Sequence, residues 1–140
     1  MFVLFIVLVS TLLLAQPADG VNVTTDSSSY QQGAPIEVTI VNAGPDRITR
    51  GGLACDDVWP LALEELDADG TWQPVPVAPR QCIGIAAVVV SPGQSQTKTL
   101  TLPLEVGSYH LVYGFDDIDN GTYEVATSDP FDIVAPRGDP

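Results

Sequence analysis

The sequence predicts an all-β fold, an antiparallel β-sandwich of about seven short strands. Three observations carry this reading. Apolar residues recur with period two, turn residues punctuate the chain at short intervals, and no long segment shows the helical period of 3.6. The chain has 140 residues, 45% of them apolar and spread in short clusters. That length fits one domain, and that apolar content provides a core which a disordered chain would lack.

Residues 2–14 form a nearly continuous apolar run, Phe-Val-Leu-Phe-Ile-Val-Leu-Val-Ser-Thr-Leu-Leu-Leu. It falls short of the roughly 20 residues a membrane-spanning helix needs, and its length suits the central region of a secretory signal. Ala18-Asp19-Gly20 resembles a small-x-small cleavage site that would leave Val21 as the first mature residue, with Ala15 and Ala18 as competing points. No Lys or Arg precedes the run. This departs from the signal pattern and leaves an upstream start or an uncleaved anchor open. The expected organisation is a signal peptide over 1–20, one sandwich domain over 21–135 and a flexible tail over 136–140, placing the protein outside the cytoplasm, secreted or in the cell envelope.

The strands follow in order. Ile36, Val38 and Ile40 alternate with Glu37, Thr39 and Val41, bounded by Gly33-Ala34-Pro35 and Asn42-Ala43-Gly44-Pro45. Residues 46–60, with Gly51-Gly52 and Cys55-Asp56-Asp57, read as irregular. Leu61, Leu63 and Leu66 mark another strand. Asp69-Gly70 then signals a hairpin, because both residues tolerate positive φ. The return, residues 72–77, carries Pro74 and Pro76 and is an edge or a loop, since proline donates no ladder hydrogen bond. Residues 83–90 are apolar, and Ser91-Pro92-Gly93-Gln94 is a turn. Residues 97–104 read as a strand with Leu100, Leu102 and Leu104 on one face. Tyr109, Leu111, Tyr113 and Phe115 alternate again; residues 116–121 turn; Tyr123, Val125 and Thr127 follow, then Phe131 and Ile133.

Charge and cysteines limit the function classes. The net charge is −13, and a surface this acidic repels phosphate backbones, so nucleic acid is not an expected partner. Cys55 and Cys82 are the two cysteines, 27 positions apart. An even count behind an export signal predicts a disulfide, which would stabilise the fold by roughly 3–4 kcal/mol. With one histidine in the chain they make a poor zinc set.

A family resemblance runs through these pieces. Tyr30-x-x-Gly33 leads into Ile36-x-Val38-x-Ile40-x-Asn42. Cys55, Leu61 to Leu66, Asp69-Gly70-x-Trp72 and Cys82 follow. Pro92-Gly93-Gln94-Ser95, Gly107-x-Tyr109-x-Leu111-x-Tyr113 and Ser128-x-Pro130-Phe131-x-Ile133 close the pattern. Together they resemble the bacterial immunoglobulin-like domains of exported and envelope-anchored proteins. The resemblance implies an immunoglobulin-like sandwich without shared catalytic residues. It implies a structural tyrosine corner at Tyr109, whose hydroxyl would bond back to nearby backbone. The cysteine pair departs from the antibody bridge between central strands: Cys55 and Cys82 sit beside loop-like segments and are expected to tie loops at one end of the sandwich.

His110 faces away from Tyr109 and Leu111, and no Gly-x-Ser-x-Gly accompanies it, so it is not read as a catalytic base. Asp116, Asp117, Asp119 and Asn120 gather oxygen donors in one turn, a weak calcium candidate whose spacing fails the EF-hand template. The plainer expectation is an acidic turn with no cofactor. Asn22-Val23-Thr24 and Asn120-Gly121-Thr122 match the glycosylation sequon. Adjacent Glu64 and Glu65 point to opposite faces of a strand and cannot converge as an acid/base pair. Trp72 is expected in the core, and Trp59 either in the core or as a platform for sugar rings.

The reading that results is a secreted or envelope binding and spacer module that is not an enzyme. Its partner is an unidentified protein or glycan, and its mature domain has no membrane span. The binding loops would carry Asp56, Asp57, Trp59 and the turn at 116–121. The alternative is a proteinase inhibitor acting through the proline-rich loop 75–82, with Arg80 as the contact residue.

Overall fold

The structure, a computed structural model, describes residues 20–53, 61–76 and 85–138. Its described elements are all strands: β1 (Val21–Thr25), β2 (Ser29–Gln31), β3 (Ile36–Asn42), β4 (Ile48–Leu53), β5 (Leu61–Leu66), β6 (Trp72–Val75), β7 (Ile85–Val90), β8 (Ser95–Leu100), β9 (Gly107–Asp117), β10 (Thr122–Thr127) and β11 (Phe131–Val134). They form two sheets that do not close into a barrel. The smaller sheet has the order β1-β3-β8, all antiparallel. The larger is built around β9.

The alternation read from sequence decides which side chains the sheets enclose. From the small sheet come Val21, Val23, Ile36, Val38, Ile40 and Leu100, all buried. From the large sheet come Tyr109, Leu111, Tyr113 and Phe115 of β9, joined by Leu63, Phe131 and Ile133. Tyr109 stacks near Phe131, which meets Tyr30 edge-on with ring centroids 5.7 Å apart. Both geometries are the ones aromatic quadrupoles favour.

Strand β9 is paired along both edges. On one edge β10 covers residues 112–117 and β11 covers residues 107–109. On the other, β5 covers 109–113 and β4 joins at 116–117. Between β10 and β11 the buried Ser128 replaces a ladder partner: its Oγ accepts the Leu111 N–H at 2.9 Å and donates to the Asp129 carbonyl. The chain can therefore kink before Pro130 without leaving a buried donor unpaired. Strand β2 closes this edge by pairing parallel to β11.

Several expectations need correction. Residues 48–53 are not irregular: β4 pairs along its whole length with β7, from Ile48↔Val90 to Leu53↔Ile85. Gly51-Gly52 looked like a breaker, but a strand held by a full-length partner tolerates glycine. Strand β8 ends at Leu100, not Leu104. Pro103 has no N–H for a ladder, and the chain turns there while still burying Leu104. The hairpin at Asp69-Gly70 forms, but not by two residues at positive φ. Only Gly70 has positive φ, +80°, and the loop is longer, closed by the Asp67 N–H on the Thr71 carbonyl. The Asp67 carboxylate accepts the N–H groups of Asp69 and Thr71, an Asx-type turn.

One buried polar residue ties the two sheets at this end. Asn42 is 1% exposed. Its amide donates to the carbonyls of Asp46 (2.8 Å) and Val90 (2.9 Å), and its Oδ1 accepts the Gly44 N–H. Its backbone pairs with Gln94 and Gly93. It thus fixes the β3–β4 loop against the end of β7 and the turn before β8. Asn42→Ala removes the amide and strands buried carbonyls, which costs about 2–3 kcal/mol. Urea denaturation should show this as a lower midpoint with an unchanged m-value.

Candidate functional site

Residues Cys55, Asp56, Asp57, Trp59, Arg80 and Cys82 lie outside the described residues, as do the predicted signal peptide apart from Gly20 and most of the 75–82 loop. The predicted disulfide and the predicted binding loops other than the turn at 116–121 fall there with them. What the structure does describe is the pair of outer sheet faces, and these differ sharply.

The outer face of β1-β3-β8 is polar. Asn22 and Thr24 of β1, Glu37, Thr39 and the half-buried Val41 of β3, and Ser95, Thr97 and Thr99 of β8 share it by strand parity. Thr39 and Thr97 join their hydroxyls at 2.9 Å across the strands. The first glycosylation sequon, Asn22 with Thr24, is exposed on this face.

The outer face of the large sheet is aromatic and apolar. Parity on β9 turns His110, Val112, Gly114 and Asp116 outward. Registers then place Glu64 beside His110, Leu66 beside Trp72, Val125 beside Gly114 and Tyr123 beside Asp116. His110 lies on the face opposite Tyr109 and Leu111, yet it is only 8% exposed. Trp72 covers it, the two rings stacked with centroids 3.8 Å apart and planes 13° from parallel. Nε2 of His110 meets Oε2 of Glu64 at 2.5 Å. Trp72 is therefore half-buried on the outside of the sheet and is not part of the core. The expectation failed on parity: in the hairpin Trp72 pairs with Leu66, which has the opposite parity to the inward Leu63.

Further along the same face Tyr123 is 69% exposed. Its ring lies across Gly114, where any Cβ would collide with the tyrosine hydroxyl. Leu66, Val89, Val125 and Val134 are the other exposed apolar side chains here. Ser108 also points outward and gives its hydroxyl to Asp132 at 2.5 Å, so the nearest serine on this strand serves a carboxylate and not the imidazole. The constellation offers stacking surface, apolar contact and carboxylates, the elements of recognition rather than of nucleophilic chemistry.

Tyr109 points inward, and its hydroxyl donates to the Glu105 carbonyl at 2.9 Å. That bond to backbone four residues upstream pins the loop entering β9. Burial pushes the Tyr109 phenol pKa up, with the Glu65 carboxylate adding to the effect.

The acidic turn does not converge on one centre. Asp116 faces outward and is exposed, whereas Asp117 faces inward and is buried. Asp117 accepts the N–H groups of Asp119 and Asn120 and the Asn120 side-chain amide. These bonds, the side-chain one foremost, hold its carboxyl below the usual carboxylate range. Asp119 instead pairs with Arg47 at 2.8 Å and accepts that residue's N–H. Asn120 also reaches Asp46. The turn thereby clamps the β9–β10 connection onto the β3–β4 loop. Among the described residues no group of three or more His, Cys, Asp or Glu side chains is arranged to hold a metal.

Sequence reading missed Asn42, the Glu64–His110–Trp72 cluster and Tyr123. Parity counting from Leu63 and Tyr109 sets Glu64 and His110 outward, but the stacking of Trp72 and the place of Tyr123 depend on the β5–β6, β5–β9 and β9–β10 pairings. Asn42 gives no such signal, because its partners come from distant loops.

The profile of the bacterial Ig-like domain family matches residues 17–129. Among solved structures the chain is similar to an ApaA protein from Bordetella pertussis, with 18% identity and a TM-score of 0.44 over 74% of this chain and 76% of that one. It is also similar to the ASH/PapD-like domain 7 of human CEP192, with 15% identity and a TM-score of 0.37 over 98% and 99% of the two chains. No curated protein sequence matches.

Two outcomes follow from the site. The Asp117 carboxyl is depressed in the folded state, so its stabilisation is present above the ordinary value of 3.8 and is lost as pH falls below it. Asp117→Asn should be less stable than the natural protein at pH 7, and the gap should shrink in melting curves taken down to pH 2. Tyr109→Phe should lose about 1 kcal/mol in denaturant unfolding, the worth of one hydroxyl bond.

Proposed function

The chain belongs to the bacterial Ig-like domain family, and from that premise we propose that it is an exported, non-catalytic module, secreted or held in the cell envelope, that binds a partner across the outer face of β6, β5, β9 and β10. The observation that carries the reading is the contrast between the two outer faces. A spacer with no binding role needs both faces wetted, as the Thr/Ser/Asn face of β1-β3-β8 is. The opposite face instead keeps Tyr123, Val125 and Leu66 in water and fixes a tryptophan over the chain's single histidine. Exposed aromatic side chains of limited rotamer freedom are the groups that dominate binding energy at protein surfaces.

Export is supported by the apolar run over residues 2–14. Among the described residues no helix is long and apolar enough to cross a membrane. The position of Gly20 bears on processing. It sits at φ +99°, its carbonyl accepts the Ala43 N–H at 2.6 Å, and a Cβ on it would collide with the Gly44 backbone. A mature chain beginning at Val21 would lose this closure of β1 on the β3–β4 loop. Cleavage after Ala18 or Ala15 keeps it.

Two measurements test the proposal. Mass spectrometry of the exported protein should find Gly20 retained; a mature terminus at Val21, or no export, would count against it. Capture from an envelope extract should retain a partner that is lost with Tyr123→Ala and kept with Thr24→Ala on the polar face. Equal capture by both variants would discard the assigned face.

A further inference from the structure

We infer that the partner surface met by this face is a basic polypeptide, one that presents arginine or lysine side chains among apolar ones. The inference rests on the binding reading above and names the chemistry that reading leaves open.

Five strands of the large sheet, β5, β6, β9, β10 and β11, contain no Lys or Arg. Across β5, β6, β9, β10 and β11 the charged residues are Glu64, Glu65, Asp116, Asp117, Glu124 and Asp132, with His110 the only basic group. By parity Glu64, Asp116 and Asp132 lie on the outer face itself. They are spread along it: Glu64 near Trp72, Asp116 near Tyr123, and Asp132 on the far side of β9. Apolar side chains fill the space between. Carboxylates beside exposed aromatic rings form sites for guanidinium groups, which stack on a ring while bonding an oxygen. The whole chain carries −13, so its field draws a cationic partner in and opposes a second copy of itself.

Three features make the face a fixed template. Trp72 is held by His110 and cannot swing away without uncovering it. Tyr123 rests in the space that Gly114 leaves open. Glu64 is oriented by its bond to His110. A rigid surface loses little entropy on binding.

The test uses the whole exported protein, a short peptide alternating arginine and leucine, and its glutamate–leucine counterpart. Calorimetry measures affinity, and amide chemical-shift mapping locates the peptide. The arginine peptide should bind more weakly as salt rises, with shifts concentrated in β5, β6, β9 and β10, and the glutamate peptide should not bind. Tyr123→Ala should weaken binding about two- to fivefold, the size of an exposed cation–π contact. Asp116→Asn should weaken it and flatten the salt dependence, while Glu37→Gln on the opposite face should leave it unchanged. Gly114→Val, which displaces the Tyr123 ring without removing it, should mimic Tyr123→Ala. Shifts on the polar face or scattered evenly, equal affinity for both peptides, tighter binding to a glycan panel, or self-association in sedimentation that Tyr123→Ala abolishes would each overturn the inference. Absence of peptide binding together with Tyr123-dependent capture from the envelope would overturn the basic class and leave the binding module standing. Absence of both would remove the two together.

Discussion

Strand β9 is the constraint on which the rest of the molecule depends. It is paired along both edges, by β10 and β11 on one side and by β5 and β4 on the other. Its alternation therefore sets the orientation of every neighbour. Tyr109, Leu111, Tyr113 and Phe115 point into the sandwich, and the intervening His110, Val112, Gly114 and Asp116 point out. A slip of one residue would drive a histidine, a glycine and a carboxylate into the core and push two tyrosines, a leucine and a phenylalanine into water. The burial of those four inward side chains, each worth about 1.5–3 kcal/mol, excludes that alternative. The same register creates the outer face, so the core and the exposed surface share one cause.

Much of this could be read from residues alone. The alternation over Ile36–Ile40 and Tyr109–Phe115 identified β3 and β9, because one buried face imposes a strict period. The turns at Asp69-Gly70 and Pro92-Gly93 were legible from glycine, whose positive φ the structure uses at both. Where reading failed, the cause was long-range. Strand β4 carries Gly51-Gly52 and shows its nature only once β7 lies beside it. Strand β2 is three residues long and exists because β11 accepts it in parallel. Leu102 and Leu104 continue the alternation of Leu100, but Pro103 ends the ladder while the leucines still find the core. Trp72 has the burial preference of a core residue, but its pairing with Leu66 sets it on the outer face.

The candidate site was less legible than the fold. His110 was correctly set on the second face of its strand, but nothing in the local sequence says that Trp72, distant in the chain, would stack on it. That contact needs the β5–β6 hairpin and the β5–β9 pairing together. The acidic turn illustrates the converse. Asp116, Asp117, Asp119 and Asn120 looked like one cluster in sequence, yet strand parity separates the first two and Arg47 draws the third aside. Proximity along a chain is a poor guide to convergence wherever neighbours alternate faces.

What emerges is a sandwich whose two outer surfaces are given different chemistry by the same periodicity. One is a solvated ladder of hydroxyls; the other holds rings and carboxylates in fixed positions. The most direct measurement of that claim is nitration of the folded protein followed by peptide mass spectrometry. The chain has four tyrosines, and the register places Tyr123 outward and Tyr30, Tyr109 and Tyr113 inward. The account predicts rapid modification of Tyr123 with the other three protected until the protein unfolds. Modification of Tyr109 or Tyr113 as fast as Tyr123 would contradict it.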